Sequence, residues 1–265
     1  MFKMKIWYSH PYHMLPFSPW PFMISLNFFS MMMSMIFWMK SLNFMFLLFN
    51  LLMILLICSQ WWRDLIREST FQGYHTLKII KNIKFSMILF ITSEVFFFIS
   101  FFWCYFHMFL SPSIEIGNNW PPKNILLMSP YGIPLINTIL LISSGMMITW
   151  CHHSLMNKMY EEAKNSLLYG ILMAILFLIL QIYEFKSSLF CLSDSIFGSI
   201  FFMLTGFHGI HVIIGTIFLI FNFYRINKIH FNNFHLLGLE MSFWYWHFVD
   251  VVWLFLFILI YWLPF

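Results

Sequence analysis

Charge is what this sequence has least of. Among its 265 residues only 9% are Asp, Glu, Lys or Arg, whereas a typical soluble domain carries about 25%. A soluble fold of this length would have a large polar surface to cover, and this chain lacks the groups to cover it, so its solvent is mostly lipid. The formal net charge of +4 gives nucleic-acid binding no support. Cysteine pairing is missing as well. Cys58, Cys104, Cys151 and Cys191 lie singly inside or beside apolar segments, with no C-x-x-C. That pattern argues against a disulfide framework or a thiolate metal site, and for buried free thiols packed as small hydrophobes. Alanine occurs only at Ala163 and Ala174, beside 36 Phe and 21 Met, the skew of A+T-rich codon usage in many organellar genomes. Lys3 and Lys5 precede a proline-studded stretch with no small-residue cleavage site and no Arg- and Ser-rich leader, so no removable signal is expected.

What is present is apolar sequence, 61% hydrophobic and 22% aromatic. A spanning helix needs about 20 predominantly apolar residues. Seven runs qualify: Phe17–Trp38, Leu42–Ser59, Phe85–Phe109, Ser129–Cys151, Ser166–Tyr183, Asp194–Tyr224 and Leu236–Leu263. Lys40 and Asn43 mark a tight turn between the first two, and Pro112, Pro121 and Pro122 fall in the third connection. No internal repeat and no soluble domain is evident. The expected fold class is therefore all-α, a polytopic membrane protein of seven transmembrane helices.

Orientation follows from where Lys and Arg fall on alternate sides. Lys3, Lys5, Arg63, Arg67, Lys78, Lys81, Lys84, Lys158, Lys164, Arg225 and Lys228 share the N-terminal side, and only Lys40, Lys123 and Lys186 fall opposite, a division of 11 to 3. An odd number of spans with the N-terminus on the negative side gives that asymmetry, and splitting or merging one helix would destroy it. Gly198, Gly206, Gly209 and Gly215 place the sixth segment at the centre of a bundle, because glycine lets backbones approach closely in lipid.

Ionisable groups inside the spans are the informative residues, since each is costly there unless paired or hydrated. Glu94 lies nine residues into the third segment, roughly 14 Å deep at about 1.5 Å per residue, among Phe90, Phe97 and Phe98. It reads either as a proton-linked or regulatory carboxyl or as a neutral acid hydrogen-bonded to a neighbouring helix. The last two segments form a hairpin turning near His230. His211 lies 19 residues before that point and Asp250 20 after it, at similar depth. His208 and His211 are i,i+3, as are His247 and Asp250. An interhelical His–Asp or His–His contact at mid-membrane is expected, as a structural clamp or a proton relay, with Glu240 continuing the stripe. Haem or copper ligation is disfavoured, because a haem needs two facing axial ligands and copper a tighter cluster.

The second connection, Trp61 to Thr70, mixes interfacial aromatics with opposite charges. Tryptophans favour the headgroup level and arginine beside them can hold lipid phosphate. His75, Arg225, Lys228 and His230 on the same side either complete such a rim or are ordinary positive-inside charge.

These stretches also carry a resemblance. His10-Pro11-Tyr12-His13, Ser18-Pro19-Trp20-Pro21, Trp61 through Gly73, Ser93-Glu94-Val95, Trp120-Pro121-Pro122, Asn137-Thr138, His152-His153-Ser154-Leu155, Gly206-Phe207-His208-Gly209 and Trp244-Tyr245-Trp246-His247-Phe248-Val249-Asp250 resemble, in family order, subunit III of the mitochondrial cytochrome c oxidases, in the haem-copper oxidase superfamily. The resemblance implies a two-helix bundle (1–75) and a five-helix bundle (76–265) around a V-shaped cleft holding phospholipid. It implies a non-redox core subunit of respiratory complex IV, flanking catalytic subunit I and sustaining proton uptake for electron transfer from cytochrome c to oxygen. Haem and copper would lie on partner subunits, with no metal and no catalytic residue on this chain. The location implied is the mitochondrial inner membrane, N-terminus on the matrix side and C-terminus on the intermembrane-space side. The family's intramembrane glutamate falls on Glu94, and its lipid-binding residues fall on Trp62, Arg67, Glu68, His75, Arg225, Lys228 and His230. The chain departs from the family at Tyr74-His75, where paired histidines are usual, and at Ser187-Ser188-Leu189, which replaces Glu-Ala-Pro. A stand-alone membrane transporter or channel is the alternative, but the broken helices and inverted repeats it predicts are not evident.

Overall fold

The computed structural model describes residues 12–13, 16–114, 117–123, 125–231 and 235–265. Lys3, Lys5 and the His10-Pro11 half of the first motif lie outside these residues. The described residues form seven long helices: α1 (Trp20–Ser41), α2 (Met45–Thr70), α3 (Leu77–Leu110), α4 (Ile133–Met156), α5 (Tyr160–Ser187), α6 (Ile196–Asn227) and α7 (Leu237–Leu256). The last runs on as a π-helical segment, Phe257–Trp262. All seven are long and apolar enough to cross a membrane. In hydrocarbon every backbone N–H and C=O must be satisfied within the segment, and a helix does this alone.

Local chemistry sets the ends. Pro21 and Pro134 sit in the first turns of α1 and α4, where a missing N–H costs nothing. Leu42 adopts the left-handed conformation (φ 55°) and donates its N–H to Trp38 O at 2.8 Å, while Asn43 Oδ1 accepts from the Met45 N–H, so the α1–α2 turn is only three residues long. Ser195 Oγ caps α6 by accepting from the Gly198 N–H at 3.1 Å.

The helices outrun the apolar stretches, and one connection is corrected. Trp61–Thr70 is not a loop but the last turns of α2. Its residues are all compatible with a helix, and Asp64 and Arg67 meet at i,i+3 along it. Hydropathy reports where lipid begins, not where a helix stops.

The chain divides into two compact units, Met1–Ile83 and Lys84–Phe265. In the first, α1 and α2 are joined across the hairpin by Ser30 Oγ donating to Asn50 Oδ1 (3.0 Å) and Asn50 Nδ2 donating to Ser30 O (3.3 Å). At the other end Trp20 Nε1 donates to Asp64 Oδ2 at 2.8 Å. Within α1 only Ser34 is buried.

In the second unit, α4 and α5 make the most extensive pairing. Both alanines of the chain, Ala163 and Ala174, are wholly buried on α5, in line with Ser166 and Gly170. Small residues at this spacing let two helices close up without a hydrophobic driving force. The core is completed by Phe177, Phe201, Leu204, Leu219, Trp246 and Trp253. The α6 glycines behave unequally. A Cβ on Gly215 would stand 2.9 Å from the Trp246 ring and one on Gly198 2.5 Å from Cys191 O, but Gly206 and Gly209 face open space. Of the cysteines only Cys151 is buried; Cys58 is half-buried, and Cys104 and Cys191 are exposed, contrary to the expectation for all four.

Candidate functional site

Side chains from α3 and α6 form an ionisable pair ringed by aromatic side chains. Glu94 projects from the middle of α3, and His211 from the middle of α6 places Nε2 2.9 Å from Glu94 Oε2. His211 Nδ1 lies 2.6 Å from Phe207 O. A carbonyl only accepts, so Nδ1 carries the hydrogen. One proton then lies on the His211–Glu94 contact, held either by an imidazolium facing a carboxylate or by a carboxylic acid facing a neutral imidazole. Phe98 packs edge-on to the His211 ring at 5.1 Å, and Phe97, Tyr245 and Phe248 close the surround. Water is thereby kept from most of the pair, which strengthens the contact.

This arrangement corrects the expected interhelical contact of His211 with Asp250 or His247. Depth was read correctly, since His211 lies level with Tyr245 and Phe248 on α7. Facing was not. His211 turns toward α3, whereas Asp250 turns toward α4, where its Oδ2 stands 2.6 Å from the position of a Cβ on Gly145. His247 Nδ1 lies 3.8 Å from Asp250 Oδ2 within the same helix. His208 does cross to α7, but to backbone: Nε2 donates to Val249 O at 3.3 Å, and its ring packs on Trp253 and Phe177. Among the described residues no group of three His, Cys, Asp or Glu side chains converges as metal ligands would.

Toward the other end of α7, Glu240 forms an ion pair with Lys84 of α3. Trp246 is held by its Nε1–H donating to Ser144 Oγ of α4 at 3.0 Å, and Asn222 of α6 donates to Ser242 Oγ of α7 at 2.8 Å. These polar rungs join helices whose remaining contacts are apolar.

The basic residues singled out for lipid fall in two places. Arg225, Lys228 and His230 gather where α6 ends. The Arg225 guanidinium lies 4.3 Å from the centre of the Phe231 ring, Lys228 Nζ 5.8 Å from that of Tyr224, and His230 is exposed. In the first unit, Trp62 is exposed on α2, Arg67 lies 3.8 Å from Asp64, and Glu68 is buried 3.6 Å from His13. The His75 ring packs edge-on to that of His13 at 5.0 Å.

Glu184 escaped the sequence reading. It lies one residue beyond the apolar run ending at Tyr183, yet α5 continues to Ser187 and buries it, and Tyr261 Oη donates to its Oε1 at 2.5 Å. The i,i+3 pairing of Gln181 with Glu184 was the available signal.

Comparison with known proteins identifies the family. The family model described as cytochrome c oxidase subunit III matches residues 10–265. Cytochrome c oxidase subunit 3 of Rhipicephalus sanguineus is 51% identical over 253 residues, covering 96% of this chain and 98% of that protein. The Drosophila melanogaster protein of the same name is 48% identical over 255 residues (96% and 97%), and that of Pisaster ochraceus 47% over 256 (96% and 98%). With seven apolar helices and a match along nearly its whole length, the chain belongs to the cytochrome c oxidase subunit III family, multi-pass inner-membrane subunits of the oxidase complex.

Proposed function

We propose that the chain serves complex IV as a non-redox flank, stabilising catalytic subunit I, retaining phospholipid and sustaining proton uptake. The observation that carries this reading is the uneven burial of its helices. In the most apolar stretch of each of α1, α2 and α3 only 6% of residues are buried, against 39–50% in α4 to α7. Faces so rich in exposed Phe, Met and Leu need lipid or another chain against them. Haem and copper are assigned to the partner subunits. Trp62, Arg67, Glu68, His75, Arg225, Lys228 and His230 are the lipid-holding set, in the cleft that the family implies. The Glu94–His211 pair is the intramembrane acid–base element, and its single shared proton supports a place beside proton delivery. The charge distribution along the sequence supports an N-terminus on the matrix side.

Gentle purification with mass spectrometry of chains, lipids and metals tests this. The chain is expected to co-migrate with a haem- and copper-bearing partner and with bound phospholipid. Recovery of the chain alone, moving a solute across liposomes, would overturn the reading.

A further inference from the structure

Glu184 lies about one helical turn from the end of α5 and is 1% exposed. Its Oε1 accepts from the Tyr261 hydroxyl, but its Oε2 is buried without a hydrogen bond. Gln181, one turn earlier on the same helix face, is 4% exposed and faces the Tyr261 hydroxyl, yet neither its amide oxygen nor its nitrogen makes a well-aligned hydrogen bond. Glu184 Oε2 and the Gln181 amide, on one turn of α5, are therefore left without a full set of partners. Folded proteins rarely leave such groups without a partner or an ordered water.

The surroundings supply a route. Glu184 lines an open pocket at the end of the bundle, with Leu126, Ser129, Gly132, Pro134 and Ser187, where α4 begins and α5 stops. Tyr261 lines a smaller cavity, and Leu127 and Met128 border both. A water beside Glu184 meets its free carboxyl oxygen and, one turn away on the same face, the Gln181 amide, within the two to four polar partners a buried water needs. A calcium ion does not fit: Ca²⁺ asks for six to eight oxygens, and here one carboxyl oxygen is already engaged by a hydroxyl.

We infer that Gln181, Glu184 and Tyr261 form a buried hydration site, fed from the pocket under residues 126–134, in which water bridges the free Glu184 oxygen and the Gln181 amide. It gives the second unit a carboxyl in contact with water, where Glu94 is instead closed by an imidazole.

Radiolytic hydroxyl-radical footprinting of the intact oxidase complex, read by mass spectrometry, tests the inference, because bound water generates the radical in place. Trp246 is the internal control, being fully buried with its Nε1–H already satisfied by Ser144 Oγ. Tyr261 is expected to be labelled several-fold faster than Trp246. Glu184→Leu, which removes the carboxyl from the site, is expected to bring Tyr261 down to the Trp246 level, and Glu184→Gln to leave it labelled. Equal protection of Tyr261 and Trp246 in the native complex would overturn the inference, with or without a folded variant, as would full labelling of Tyr261 in an assembled Glu184→Leu complex.

Discussion

His211 Nε2 lies 2.9 Å from Glu94 Oε2 while its Nδ1 is engaged by the Phe207 carbonyl at 2.6 Å. One ring nitrogen is committed to backbone, so the other must answer the carboxyl. The two residues share one proton and remain neutral as a pair whichever of them holds it.

Glu94→Gln is expected to be mild and Glu94→Ala is not. A glutamine amide still donates to a neutral Nε2, with Nδ1–H kept on Phe207, whereas alanine leaves a buried imidazole nitrogen unanswered at about 1–3 kcal/mol. The midpoint for thermal dissociation of the complex is expected to fall clearly for Glu94→Ala and little for Glu94→Gln. Equal losses would show that the pair is not what holds α3 to α6.

Two glycines on one helix provide a packing test. Gly215→Ala sets a methyl 2.9 Å from the Trp246 ring, whose other edge is tied to Ser144, so the ring has little room to yield. Overpacking of this kind costs about 1–3 kcal/mol. Gly209→Ala meets nothing within 4 Å and is expected to be neutral or slightly stabilising through helix propensity. Thermal melts of the two variants read the difference, and its reversal would mean the α6–α7 packing is wrong.

Lys84 and Glu240 form an ion pair between α3 and α7. Lys84→Glu places two carboxylates together and Glu240→Lys two ammonium groups; each is expected to lower the amount of assembled complex. The double exchange is expected to recover much of it. Recovery no better than the worse single variant would assign the two side chains to unrelated partners.

Arg225→Ala is expected to lower the phospholipid retained after gentle purification and to leave the haem spectrum unchanged. Its guanidinium rests on Phe231, so Arg225→Lys, which keeps charge but stacks less well, is expected to fall between the two. Lipid content equal to the native complex in both variants would remove Arg225 from the lipid-holding set.

Much of this protein was legible without coordinates. Charge scarcity excluded water as the main solvent, apolar runs of about 20 residues counted the helices, and counting from His230 set the depth of His211 against α7. The solvent decides these features, and each residue carries its own cost of leaving water. Rotational phase was not legible. Whether His211 met Asp250 or Glu94 depended on how far α6 and α7 are turned about their axes, and that was decided by packing: small residues at Ala163, Gly170 and Ala174 bringing α5 against α4, and Trp246 in the slot at Gly215. Helix ends were illegible for a related reason, because backbone hydrogen bonding carries α2 through Trp61–Thr70 and α5 past Glu184 where hydropathy has already stopped. The sequence by itself determined that the chain lies in lipid and which acids and histidines lie there with it. The tertiary structure alone decided which of them meet, because partner choice is a property of two helix faces at once and no single helix records it.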